Sequence, residues 1–190
     1  MSADSEPLKA IGLSGSPSPS SRSKILLEHT LVQLATKGAD VQLLDLAELP
    51  ADALLGRRKD PLVYEAIQQS SQAAILLLAT PIYRATYTGQ LKAFLDLFPQ
   101  NALRGVVVGL IATGGGPHHA LAVDHGLRPL VASLGGLSAA QAIYVTDAEF
   151  PDKEHLPSQL SEATADLAEE LYRWAQAQAA AAIETKERNS

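Results

Sequence analysis

At 190 residues the chain suits one domain with a sizeable buried core, and 46% hydrophobic against 19% charged residues excludes an intrinsically disordered chain. A formal charge of −6 leaves no electrostatic footprint for nucleic acid. The absence of cysteine removes disulfides, Cys-ligated zinc and thiol chemistry.

The first seven residues, Met1 to Pro7, lack the cationic flank and apolar stretch of a signal peptide. No window reaches the roughly 18 consecutive apolar residues of a membrane span. The sequence therefore reads as a soluble cytoplasmic protein without a membrane or nucleic-acid partner.

Leu8 to Ser14 reads as a short buried strand. The stretch Ser14 to Ser23 is rich in hydroxyls and carries Arg22. A helix pattern follows over Ser21–Lys37, with Ile25, Leu26, His29, Val32, Leu34 and Ala35 on its apolar side. Strand, hydroxyl-rich loop and helix N-terminus together make an anion site. Unpaired backbone N–H groups, the positive end of the helix dipole, serine hydroxyls and a guanidinium all favour phosphate. The plainer reading is a Ser/Pro turn with an ordinary helix cap.

Lys37-Gly38 stops the helix, and Ala39 to Asp45 reads as a second, parallel strand. Leu46 to Asp60 is an irregular surface excursion. Its basic triplet Arg57-Arg58-Lys59 reads as solvated, with nucleotide contact as the alternative. Asp60-Pro61 caps a helix that runs to about Ser71. Ala73–Thr80 is a central strand buried on both faces. Thr88–Phe98 is a helix with Leu91, Phe94, Leu95 and Phe98 on one side. Arg104–Thr113 is a second central strand, followed by the loop Gly114-Gly115-Gly116-Pro117.

His118–Leu134 reads as a helix, but Pro129 within it removes one N–H and clashes with the carbonyl of His125. With Gly126 beside it, a distorted turn, of π-bulge type, is expected at 124–129. Leu137–Val145 is the last strand, and Ser158–Thr185 a closing helix that frays after the alanine run 179–182. The alternation of strands and helices predicts one α/β domain over 1–190, with 1–7 and about 183–190 flexible.

Ligands of such sheets bind beyond the carboxyl ends of the strands. That rule selects the serine loop, the segment Pro81–Gly89 and the loop Thr113–Gly116. The first suits a phosphate, the second a flat heterocycle, and the third permits close backbone approach. Together they describe a mononucleotide with a large planar base. Competing motifs fail: a Walker loop needs glycine where Ser20 stands, and neither a dinucleotide G-x-G-x-x-G nor a G-x-S-x-G elbow occurs at the expected place. His118, His119 and His125 lack acidic partners at metal-ligand spacing, so no metal is expected.

The segments Gly15-Ser16-Pro17 with Ser21-Arg22-Ser23, Ala79 to Pro99, and Ala112 to Leu130 resemble the NAD(P)H-dependent FMN reductases. More narrowly, they are similar to the reductase component of two-component alkanesulfonate and methanesulfonate monooxygenases. The resemblance spans about residues 8–150. It implies a flavodoxin-like, doubly wound five-stranded parallel sheet of order 2-1-3-4-5, in a homo-dimer or homo-tetramer. It implies reduction of FMN by NADPH or NADH, with reduced flavin (FMNH2) passing transiently to a sulfonate monooxygenase.

By the same resemblance, Ser16, Ser21, Arg22 and Ser23 bind the flavin phosphate. Pro81, Ile82, Tyr83 and Arg84 run along the isoalloxazine, and Thr113, Gly114 and Gly115 meet its other edge. His125 falls where alkanesulfonate reductases insert a tyrosine that makes a π-helix at the tetramer interface, and histidine there points to the methanesulfonate branch. Ser18 stands where an arginine often occurs. No residue is expected to act as general acid or base, because the chemistry belongs to the flavin. His118 and His119 either border the open flavin face or simply begin a helix. The alternatives are a reductase of quinones or azo dyes that retains FMN, and a flavin-binding electron carrier without a reaction of its own.

Overall fold

The computed structural model describes residues 6–152 and 155–188. The expected flexible ends lie partly outside these, at 1–5 and 189–190. The strands are β1 (Lys9–Ser14), β2 (Asp40–Asp45), β3 (Ile75–Pro81), β4 (Val107–Gly114), β5 (Leu137–Ser138) and β6 (Ile143–Thr146). The α-helices are α1 (Arg22–Thr36), α2 (Ala51–Leu54), α3 (Pro61–Ser71), α4 (Gly89–Leu95), α5 (Arg128–Ser133) and α6 (Ser158–Arg188). All strand pairs are parallel, in the order β2-β1-β3-β4-β5, with β6 also on β4. This is the doubly wound, flavodoxin-like order.

β3 and β4 are buried along their whole length, as central strands covered on both faces must be. On one face, Leu27, Leu31 and Leu34 of α1 and Leu167 and Leu171 of α6 pack on Ile75, Leu77, Val107 and Ile111. On the other, Val63 and Ile67 of α3 and Leu91, Phe94 and Leu95 of α4 cover Ile11, Leu13, Leu76 and Leu78. Each such leucine or isoleucine withdrawn from water contributes about 1.5–3 kcal/mol. The buried face of α1 is turned from the predicted one: Leu26, Leu27, Thr30, Leu31 and Leu34 face inward and Val32 is exposed. Thr30 tolerates the core because its hydroxyl donates to the Leu26 carbonyl at 2.8 Å.

Several expected elements are shortened or broken. The predicted helix 88–98 is α4 alone, capped by the Thr88 hydroxyl. The predicted strand from Arg104 starts at Val107, because Gly105 adopts a left-handed conformation that a strand does not allow. The excursion 46–60 holds a 3₁₀ turn (Leu46–Glu48) and the short α2, and Arg58 there pairs with Asp52 and Asp60. The backbone of α6 continues helical through the alanine run. The predicted helix 118–134 divides into a 3₁₀ turn (Pro117–Ala120), a π-helical turn (Val123–Leu127) and α5. Pro129 follows directly on the π-helical turn, whose wider winding accommodates the missing N–H.

The predicted fifth strand is split into β5 and β6. The gap is filled with specific bonds. The Arg128 guanidinium donates to the carbonyls of Ala139 and Ala140, while the amides of Ala140 and Gln141 donate to Glu170 of α6. Backbone groups that would have paired with β4 thus find side-chain partners instead.

The sheet places the loops. The Gly15 amide donates to the Ala79 carbonyl at 2.8 Å, and the Gly15 carbonyl accepts from the Thr88 hydroxyl. A Cβ on Gly15 would lie 2.9 Å from Leu91 Cβ and 3.2 Å from the Ala79 oxygen. Gly15→Ala is therefore expected to destabilise the fold by about 1–3 kcal/mol through overpacking, read as a lower midpoint in chemical denaturation.

Candidate functional site

Above the carboxyl ends of β1, β3, β4 and β6 lies a cavity of about 340 Å³. It is lined by Ser18, Ser21, Arg22, Pro81, Ile82, Tyr83, Thr113, Gly114, Gly115 and Asp147. Its size and mixed lining fall in the range of small-ligand sites.

The serine loop forms its floor on one side. The Ser21 hydroxyl caps α1 by accepting from the Lys24 amide at 3.1 Å, and lies 3.0 Å from the Ser23 hydroxyl. The first amides of α1 remain without helical partners, as at any helix start. Ser16 and Ser23 are fully buried behind the lining. The Ser16 hydroxyl accepts from the Ser18 amide at 3.1 Å, so it shapes the loop while Ser18 reaches the cavity. Below the loop, Lys24 and Asp45 pair at 2.6 Å, both largely buried. The hydrogen bond that Lys24 donates to the Asp45 carboxylate raises the pKa of its ammonium above the ordinary range.

The segment after β3 turns back on itself. Tyr83 and Thr86 exchange both backbone hydrogen bonds, and Arg84 and Ala85 between them have φ of 52° and 66°. Left-handed conformations in two consecutive non-glycine residues describe a strained I′ turn. The turn carries Arg84 away from the cavity, which keeps Pro81, Ile82 and Tyr83. The next residue inward, Tyr87, packs against Gly126 of the π turn.

The glycine loop is pinned by Tyr144. Its hydroxyl donates to the Gly116 carbonyl at 2.5 Å. Burial pushes that hydroxyl's pKa up from the usual phenol value. A Cβ on Gly114 would stand 2.5 Å from the Tyr144 oxygen, so the contact requires glycine there. A Cβ on Gly115 would meet nothing within 4 Å, leaving that backbone open to the cavity.

Asp147 has no counterpart among the predicted site residues. Its amide donates to the Gly114 carbonyl at 3.1 Å, and its carboxylate meets the Arg22 guanidinium at 3.0 Å. Arg22 also donates to the Phe150 carbonyl, with Phe150 wholly buried. Neighbouring Glu149 accepts from the Thr146 hydroxyl and amide, which holds its carboxyl below the usual range.

The structure thus brings Ser21, Arg22, Pro81, Ile82, Tyr83, Thr113, Gly114 and Gly115 together. It places Ser16 and Ser23 behind them, and Arg84 and His125 elsewhere. Tyr144 and Asp147 carry no local sequence signal. Only the register of β6 on β4, which sets Tyr144 opposite Ala112, brings them here.

His125 lines a second cavity of about 350 Å³ with Ala85, Thr86, His118, His119, Leu121, Ala122 and Gly126. The His118 and His119 rings meet edge to face at 4.7 Å. The described residues include no group of three or more potential ligands able to hold a metal, and no helix long and apolar enough to cross a membrane.

Comparison with known proteins places the chain among relatives. Residues 8–150 match the NADPH-dependent FMN reductase family. The chain is 39% identical over 155 residues to an FMN reductase (NADPH) of Pseudomonas putida, covering 80% of this chain and 79% of that protein. It is 38% identical over 152 residues to the NADH-dependent FMN reductase SfnF of Pseudomonas fluorescens, covering 78% and 81%. Among solved structures, an apo NADH:FMN oxidoreductase superposes with a TM-score of 0.73 at 37% identity, covering 85% of this chain and 88% of that one.

Gly114→Ala should drive the loop off Tyr144 and lower stability by about 1–3 kcal/mol. Adding Tyr144→Phe, which deletes the obstructing oxygen, should recover part of that loss. A double-mutant cycle in urea with a coupling of about 0.5 kcal/mol or more between the two sites would establish the contact.

Proposed function

The chain belongs to the NADPH-dependent FMN reductase family, and from that premise we propose that the cavity over the strand ends is its flavin site. The enzyme is an NAD(P)H:FMN oxidoreductase, with FMN and NADPH or NADH as its reactants. The observation that carries the site assignment is the convergence, in one cavity, of a helix N-terminus with Ser18, Ser21 and Arg22, a flat apolar edge from Pro81 to Tyr83, and open backbone at Gly115.

The residues present fit FMN. The hydroxyls of Ser18 and Ser21, the guanidinium of Arg22 and the free amides of α1 match a phosphate monoester. Pro81, Ile82 and Tyr83 offer apolar surface to a tricyclic ring, and Thr113 to Gly115 offer backbone donors and acceptors to its polar edge. Bound FMN supplies the hydride-accepting chemistry of the reaction. The chain's own work is to bind, orient and leave one face approachable. Half-exposed Tyr83 borders the opening, and no side chain of the chain is assigned a proton transfer.

Ser16 and Ser23 keep a role one step back, holding Ser18 and Ser21 in place. We assign the product's fate from the likeness to two-component sulfonate monooxygenase reductases: FMNH2 leaves for a partner oxygenase. In steady state, NADPH or NADH oxidation should saturate in added FMN, and a sulfonate monooxygenase should desulfonate its substrate when supplied by this enzyme. Turnover only with a quinone or azo dye and retained flavin would replace this reading by that of an FMN-keeping reductase. Absence of any pyridine-nucleotide oxidation would leave a flavin carrier. Arg22→Ala should weaken FMN binding about tenfold or more while the circular dichroism stays as in the parent.

The second cavity supports an interface between copies of the chain. Leu121 is 58% exposed and adjoins His125 on the π turn. Tyr87, packed on Gly126, ties that turn to the flavin segment. His125→Ala should shift the mass measured by light scattering after size exclusion or alter flavin turnover. An unchanged mass together with unchanged kinetics would remove His125 from the interface.

A further inference from the structure

Arg22 and Asp147 are the two charged residues that line the cavity, and they are ion-paired at 3.0 Å. Their formal charges cancel. A phosphate dianion entering beside Arg22 meets a carboxylate already on that guanidinium. Asp147 is held there by its backbone and its loop. Its amide is bonded to the Gly114 carbonyl, Glu149 braces Thr146 before it, and buried Phe150 anchors the chain after it. Arg22 is held as well, since its Nε is spent on the Phe150 carbonyl and its exposure is 22% against 60% for Asp147. The carboxylate is thus a largely exposed anion, positioned by its backbone, at the rim of an anion site.

We propose that Asp147 sets the FMN affinity by competing with the flavin phosphate for Arg22, so that the flavin binds as an exchangeable reactant. The inference rests on the assignment of this cavity to FMN. The competition has two parts. Binding the phosphate breaks or shares the Arg22–Asp147 bond, and it places like charges side by side in a partly enclosed cleft, where screening is weaker than at the open surface. Both parts act on the phosphate and neither on the ring. The same carboxylate keeps the guanidinium oriented toward the cavity when no phosphate is present. Asp147 therefore acts as a counterweight on affinity and is not a catalytic residue.

The test is a fluorescence titration of the purified full chain with FMN and with riboflavin, which lacks the phosphate. Asp147→Asn retains the oxygen that meets Arg22 but loses the charge. It should tighten FMN about fivefold, as expected for loss of one partly exposed charge interaction, and leave riboflavin affinity unchanged. In the Arg22→Ala background the gain from Asp147→Asn should largely vanish. Asp147→Ser serves as the second variant and should also tighten FMN selectively if Asp147→Asn folds poorly. FMN affinity unchanged or weakened in the folded Asp147 variants would overturn the proposal, as would equal tightening of riboflavin. Arg22→Ala separates the two levels. If it leaves FMN affinity untouched, the site assignment itself fails. If it weakens FMN while Asp147→Asn does not tighten it, only the role of Asp147 fails.

Discussion

The site depends on one hydroxyl. Thr88 donates from its Oγ1 to the Gly15 carbonyl at 2.5 Å, caps α4 by accepting from the Leu91 amide, and its own amide donates to the buried Thr80 hydroxyl. Gly15 in turn donates to Ala79. The end of β1, the end of β3 and the start of α4 are thereby one polar knot inside an apolar layer. Buried polar groups are costly unless paired, and here each of these groups is paired. The serine loop leaves from this knot and the Pro81–Tyr87 segment returns to it. Their separation is therefore fixed by short bonds to backbone and not by the ligand.

Around that fixed frame the chain divides labour by distance from the cavity. Hydroxyls at Ser18 and Ser21 face it, and those of Ser16 and Ser23 stand behind and position them. Tyr144 does for the glycine loop what Thr88 does for the serine loop: one hydroxyl ties the turn through a backbone carbonyl. The flat apolar edge comes from the strained turn at Arg84 and Ala85, which faces Tyr83 and Arg84 in different directions. On the proposed reading these devices hold the flavin in place and leave the chemistry to it.

Local covalent constraints were readable before the structure. Asp60-Pro61 starts α3 where expected, Ser21 caps α1, and Pro129 against the His125 carbonyl yields a π turn at Val123–Leu127. The sheet order followed from the resemblance, and its parallel pairing from the alternation of strands and helices. Readings that required knowing which way a side chain faces were weaker. The face of α1 differs from the expected one because apolar Val32 is exposed and apolar Ile25 lies at its margin. Ser16 and Ser23 lie near a helix start like Ser18 and Ser21, but the fold buries them behind the cavity lining, which their spacing in the sequence does not reveal. Asp147 and Tyr144 lie far along the chain from the loops they touch, and only strand register carries them there. The split of the fifth strand was likewise hidden, since its cause is Arg128 and Glu170, one on each side of the sheet.

That split has a mechanical meaning. Arg128 belongs to the helical layer on one face and Glu170 to α6 on the other, and both bond the same four-residue gap between β5 and β6. The gap works as a rivet through the sheet edge, coupling the two outer layers without passing through the core. Sliding of one layer over the other must break charge-assisted bonds at that point, although the edge strand itself is short. The neighbouring strand β6 carries Tyr144 and ends just before Asp147, so the rivet also fixes the rim from which both reach the cavity. Stiffness at the far edge of the sheet is in this way delivered to the mouth of the site.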